Sequence, residues 1–262
     1  MSTADDLFRA GDLDGARKAL VEIVRAQPAD QPARMFLFQL LALAGEWEKA
    51  RTQLNMLAQL SPEAQMLTIA YGQAIDAELY RAEVFAGRKP APMLARGSGW
   101  AQDLADSITH FAAGRADEGE AARARAFDAA PDTPGTLDGV AFDWIADADS
   151  RFGPAFEVIV AGQWGIVPFD AIESIRSEGP RDLRDIIWYP VQLGWKNGQS
   201  VAAMMPARYP GSEASADPAI RLGRTTDWAD VPSGQVATGQ RLLTLSDGED
   251  RGLLSLRQLS FG

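Results

Sequence analysis

Gly11-Asp12-Leu13-Asp14-Gly15-Ala16-Arg17 returns 34 residues later as Gly45-Glu46-Trp47-Glu48-Lys49-Ala50-Arg51. The same offset relates Leu20 to Leu54, Ile23 to Leu57 and Pro28 to Pro62. Within each copy the apolar positions follow helical spacing, so each is an amphipathic helix. The glycine sits in the turn before the helix, the small alanine allows close approach of a neighbouring helix, and the proline ends the unit because it cannot continue it.

The intervals, five from Gly to Ala and seventeen from Gly to Pro, resemble the tetratricopeptide helix–turn–helix repeat. A third, weaker copy runs from Gly114 to Pro131, with Gly119 where alanine is expected. No copy stands at the step after Gly45, where Leu79 falls; Pro62–Gly87 reads as one longer helix, and Pro90, Pro92, Gly97 and Gly99 mark a loop. Residues 1–133 are therefore expected to form a tetratricopeptide-like α-superhelix of about seven helices.

From about Gly135 the texture changes. Five of the seven Trp and fifteen of the 24 Gly lie in this half, although the net charge of −11 is shared almost evenly between the halves. Phe156–Ala161 and Ile186–Tyr189 have strand length and composition. Asn197-Gly198 signals a hairpin between Gln192–Lys196 and Ser200–Met205, and Asp247-Gly248 another between Arg241–Leu245 and Leu253–Leu259. Pro168–Ser177 reads as a short helix. Residues 134–262 are thus expected to be a mostly antiparallel, β-rich α+β domain, and the whole chain α+β.

The 262 residues suffice for one or two domains with a normal core, 46% being hydrophobic. Without Cys there are no disulfides, thiolate metal sites or cysteine nucleophiles, and one His excludes multi-His metal sites. The acidity argues against nucleic acid as a partner. The longest apolar run, Met35–Leu43, is broken by Gln39 and falls far short of the ~20 residues that span a bilayer. No leader is legible at Met1–Asp6, so the expectation is a cytoplasmic protein with no membrane partner.

Phosphate-binding glycine motifs and a nucleophile elbow are absent, and no cofactor is expected. His110 lies four residues before Gly114, as Leu41 and Leu7 lie four before Gly45 and Gly11, which makes it a helix-packing position. Asp143, Asp147 and Asp149 could offer oxygens to a divalent cation, but the EF-hand spacing fails and a solvated helix end is favoured; no metal is expected. Arg151, Arg184 with Asp185, Arg208, Arg224 with Asp227, and Arg241 form either a buried network of arginine–carboxylate pairs or an anion site, with the network favoured.

Those residues sit in motifs that resemble the ImpE family. The series is Asp149-Ser150-Arg151-Phe152-Gly153-Pro154-Ala155-Phe156-Glu157, then Val167-Pro168-Phe169 with Ile172, then Arg184-Asp185-Ile186-Ile187-Trp188. It continues through Pro206-Ala207-Arg208-Tyr209-Pro210-Gly211-Ser212 and Leu222-Gly223-Arg224-Thr225-Thr226-Asp227-Trp228. It closes on Gly239-Gln240-Arg241 and Leu259-Ser260-Phe261. Where the family has a run of aromatics this chain has Gly162-Gln163-Trp164-Gly165, leaving Trp164 as the candidate aromatic contact. The resemblance implies a non-enzymatic adaptor of a bacterial type VI secretion system. Its partner would be the small subunit of the contractile sheath, with an indirect link to the AAA+ ATPase that disassembles the sheath. A helix of that subunit is expected to dock in the groove of the superhelix, which the second half caps. The alternative is an anion sensor or enzyme built on the Arg/Asp motifs.

Overall fold

The computed structural model describes residues 3–95, 99–231 and 234–262. Seven helices come first: α1 Thr3–Arg9, α2 Leu13–Ala26, α3 Gln31–Leu43, α4 Trp47–Leu60, α5 Glu63–Phe85, α6 Gly99–Ala112 and α7 Ala116–Ala129. The repeat shows directly in their boundaries. Gly11, Gly45 and Gly114 each turn the chain at a φ of +84°, +70° and +74°, where a side chain would be strained. Asp12 and Asp30 cap the next helices, their carboxylates accepting from Gly15 N at 2.8 Å and Ala33 N at 2.9 Å. α2 buries Leu13, Ala16 and Leu20, and α4 buries their repeat mates Ala50 and Leu54. At Gly119 a Cβ would stand 2.6 Å from the Phe111 ring, which explains the glycine in the third copy. The expected long helix is α5, and Gly97 of the expected loop lies outside the described residues.

The strands are β1 Gly135–Leu137, β2 Val140–Phe142, β3 Ile145–Asp147, β4 Ala155–Val160, β5 Gln163–Pro168, β6 Ile172–Arg176, β7 Trp188–Trp195 and β8 Ser200–Pro206. After them come β9 Thr226–Val231, β10 Gly234–Gly239, β11 Leu242–Leu245, β12 Asp250–Gly252 and β13 Gln258–Phe261. One antiparallel sheet runs β2-β1-β13-β6-β7-β8-β4-β5, beside a β12-β11-β3 sheet and a β9–β10 ribbon. β7 and β8 form the hairpin that Asn197-Gly198 signals.

Three expectations are corrected. Pro168–Ser177 is a 3-10 turn and then strand β6, not a helix. A bulge between Ile172 and Ser174 in the β6–β7 ladder lets Ile172 and Ile175, three apart, both reach the core. That spacing mimics a helix. Ile186 closes a 3-10 turn, and the strand begins only at Trp188. After Asp247-Gly248 the chain pairs as β12 and then turns at Leu253–Ser255; β13 instead joins the large sheet between β1 and β6.

The two halves share a core. Leu37, Phe38 and Leu104 from the helices belong to one buried cluster with Phe152, Trp188 and Tyr209. The helix face expected to be an open groove is largely filled by the chain itself. Trp188 packs beside Tyr71 and Trp47, at ring separations of 5.5 and 5.9 Å. Gln39 donates to Asp182 at 2.8 Å, and Arg208 donates to the Leu43 carbonyl at 3.1 Å.

Gly239, at the end of β10, has a φ of +94°, and a Cβ there would lie 2.1 Å from the Thr225 carbonyl oxygen. Backbone cannot swing aside as a side chain can. Gly239→Ala is expected to destabilise the protein by about 2–4 kcal/mol in urea unfolding. A loss under about 0.5 kcal/mol, the usual scatter of surface changes, would contradict this turn geometry.

Candidate functional site

Glu157 stands alone as a charge in the apolar run of β4 and is fully buried. Burying a carboxylate is tolerable only with charged and hydrogen-bonding partners. Arg81, from α5, supplies a fork: Nε donates to Oε1 at 2.6 Å and Nη2 to Oε2 at 2.9 Å. Trp164 donates its indole N–H to Oε1 at 2.9 Å, and Arg241 reaches Oε2 from the far side. Arg241 also binds Asp147, whose other oxygen accepts from the Tyr209 hydroxyl at 2.8 Å and from Asp149 N at 2.9 Å. The Arg241 guanidinium lies 4.5 Å from the Phe152 ring centre and 4.7 Å from that of Tyr209. One turn before Arg81, Glu78 accepts from Arg81 at 3.3 Å and from the Trp188 indole at 3.2 Å.

Proton affinities follow from these placements. Burial acts to raise Glu157, but the charges of Arg81 and Arg241 outweigh it and hold its carboxyl below the ordinary value. For Asp147 burial prevails over Arg241 and lifts the carboxyl to about 6. Burial likewise raises Glu78 against the pull of Arg81. Arg208 is lowered to about 10 by burial, with Glu213 and Glu78 opposing. Burial would lower Arg81 and Arg241 too, yet the carboxylates around them keep both above the ordinary value.

The sequence candidates distribute themselves unevenly. Arg208 and Arg241 are in this interior, and Arg151 lies beside it, forking onto buried Asp149 with its Nη2 2.6 Å from Oδ2. Arg184 pairs with Asp182 at 2.8 Å rather than with Asp185, and covers the Tyr71 ring. Asp185 accepts from the backbone N–H groups of Arg181 and Asp182, at 2.7 and 3.1 Å. Arg224 and Asp227 are both exposed and do not pair; Asp227 accepts from Trp228 N. Trp164 faces inward and is 3% exposed, against Tyr80 and Phe85. Asp143 is exposed and apart from buried Asp147 and Asp149. His110 is half-buried and its Nδ1 accepts from Arg115 Nε at 2.9 Å. Sequence reasoning missed Glu78, Arg81 and Glu157. For Glu157 the signal was available, as a lone acid inside a strand-length apolar run.

A cleft of about 640 Å³ opens between α1, α3 and the loops at 180–186 and 222–224. Phe8, Phe36, Leu183, Ile186, Leu222 and Leu254 form its apolar floor, and charged side chains including Arg224 ring it. It lies where the helical half and the second half meet.

A helical-repeat platform locked by buried ion pairs onto an antiparallel β-rich half, with a cleft at the junction, places the chain among the helical-repeat proteins. Comparison with known proteins sharpens this. A tetratricopeptide-repeat family model matches residues 7–69, and the ImpE protein model matches residues 139–260. The type VI secretion system accessory component TagJ of Pseudomonas aeruginosa is 43% identical over 98% of this chain and 90% of its own. The crystal structure of protein VPA1032 from Vibrio parahaemolyticus superposes with a TM-score of 0.87, at 21% identity, covering 100% of this chain and 98% of that one. The chain belongs to the ImpE family.

Removing one partner from a buried ion pair strands the other, which costs about 3–5 kcal/mol. Arg241→Met is expected to lose that much, whereas the exposed Arg25→Met should change stability by under about 1 kcal/mol. Asp147 binds its proton more tightly folded, near 6, than at its ordinary 3.8. Its contribution is therefore full at low pH and is lost as pH rises through 6. The stability gap between the native chain and Asp147→Asn should narrow from pH 4 to pH 7 in urea titrations; a gap independent of pH would refute the raised affinity.

Proposed function

We propose that this protein is a non-enzymatic adaptor of a bacterial type VI secretion system, working in the cytoplasm. It binds an amphipathic helix of the small subunit of the contractile sheath. Through that subunit it bears indirectly on the AAA+ ATPase that disassembles the sheath. The observation that carries the reading is the 43% identity to the Pseudomonas accessory component, which extends through both halves. Physical support comes from the helical repeats, a scaffold suited to taking one more helix, and from arginine motifs whose buried members are engaged by this chain's own carboxylates and carbonyls.

The energy of such a contact should come from a few apolar anchors rather than from the net −11 charge. Calorimetry with synthetic peptides covering the helices of the small sheath subunit tests this at two salt concentrations. One helix should bind, with an affinity that changes little as salt rises; screening would weaken a contact made by charge alone. No heat with any helix would reject the partner.

A further inference from the structure

A second cleft, of about 670 Å³, lies on the solvent face of the large sheet, between the loop at 177–181 and the first residues of β13. We propose that it binds a small phosphomonoester, the phosphate of a sugar or nucleoside, with Arg176 and Arg257 holding the phosphate. The site is independent of the adaptor reading. None of the arginines singled out from the sequence lines it.

Among the described residues, five charged side chains line the cleft, and they do not cancel. Asp185 is buried and engaged by the backbone, accepting from Arg181 N and Asp182 N at 2.7 and 3.1 Å. Glu178 and Arg181 face each other at 3.2 Å. Asp138, which does not line the cleft, accepts from the backbone N–H groups of Arg257 and Gln258 at 3.0 and 2.6 Å. Arg176 and Arg257 are left over. Arg176 is exposed, and among the described residues its side chain has no ion-pair or hydrogen-bond partner. Its cross-strand neighbours are neutral, Gln258 on β13 and Gln192 on β7.

Arg257 is exposed yet fixed in place. Its Nη1 donates to the Tyr189 hydroxyl at 2.8 Å and to the Leu256 and Leu254 carbonyls at 2.9 and 3.0 Å. Gly179, at a φ of +86°, lies over the face of the guanidinium: a Cβ there would stand 2.6 Å from both Cζ and Nη2 and 2.9 Å from Nε. Among the described residues Nε and Nη2 have no hydrogen-bond partner. Those two N–H groups form the edge of a guanidinium that grips two oxygens of one oxyanion. A fork already held by the fold loses little freedom on binding, and Arg176 supplies the second positive charge that a phosphate dianion calls for. The volume falls in the range of about 300–1,000 Å³ usual for small-molecule sites, so there is room for more than the phosphate. Pro190, exposed among these polar groups, offers an apolar surface to the uncharged remainder.

Isothermal titration calorimetry on the full chain tests this with AMP, ribose 5-phosphate, inorganic phosphate and adenosine as probes. AMP or ribose 5-phosphate should bind at one per chain, inorganic phosphate more weakly, and adenosine should give no heat. Arg176→Gln breaks no contact within the protein, so its melting temperature should be unchanged while the affinity falls about tenfold. Arg257→Lys keeps the charge and loses the fork, and should also weaken binding about tenfold. Arg25→Gln, an exposed arginine on α2, should bind as the native chain does. The stronger of AMP and ribose 5-phosphate tells which carrier the cleft suits. Inorganic phosphate binding as tightly as either would overturn the larger occupant and leave a seat for free phosphate. Adenosine binding as well as AMP would overturn the phosphate contact. Affinity unmoved by both Arg176→Gln and Arg257→Lys would place the ligand elsewhere, and no heat with any phosphate probe would overturn the proposal outright.

Discussion

Glu157 is gripped from two directions, by Arg81 of the helical half and by Arg241 of the β-rich half, and the relation of those halves depends on it. A buried carboxylate with one guanidinium on each side sets a register as much as it adds stability. Replacing such a set by hydrocarbon is often neutral, whereas breaking it is costly. Arg81 also binds the Arg208 carbonyl at 3.0 Å, and Arg208 in turn donates to the Leu43 and Arg221 carbonyls. The grip therefore extends along the chain from α3 to the segment after Ala219. Sliding α5 along the sheet by one turn would strand several buried charges at once.

This explains why part of the architecture is legible in sequence and part is not. The 34-residue period, the αL glycines and the Asn197-Gly198 hairpin are local devices, and local reading finds them. The bulge at Ile172–Ser174 is also local in position, but its effect is to give a strand the apolar spacing of a helix. Strand β13 fails for a different reason: its partners β1 and β6 lie more than 80 residues upstream, and nothing near Asp247-Gly248 announces that the chain leaves its hairpin.

The candidate site divides the same way. Arg151, Arg208 and Arg241 stand out as arginines in apolar, aromatic motifs, yet their partners are set by tertiary structure. Sequence neighbours made poor guesses. Arg184 and Asp185 point to different tasks, one forking onto Asp182 and the other closing the 3-10 turn at 182–186 by its backbone bonds. Glu78 and Arg81 were invisible because an i, i+3 acid–base pair on a helix reads as a solvated face. Only the long α5, running past the point where the repeat should have turned, brings that pair under the sheet.

The same closure constrains how such a protein can recognise anything. An open helical-repeat groove offers a long concave surface, and a partner can use any length of it. Here Trp188, Tyr209 and the 182–186 turn already pack onto that surface, so the two halves share it as one core. The cleft that stays open between them is walled by both halves, with Phe8 and Phe36 from one and Leu183, Ile186 and Leu254 from the other. The buried ion pairs have no exposed face of their own, yet they join the two halves that wall this cleft. Walls joined through a packed interior are ordered in advance, the general condition under which binding carries little ordering cost.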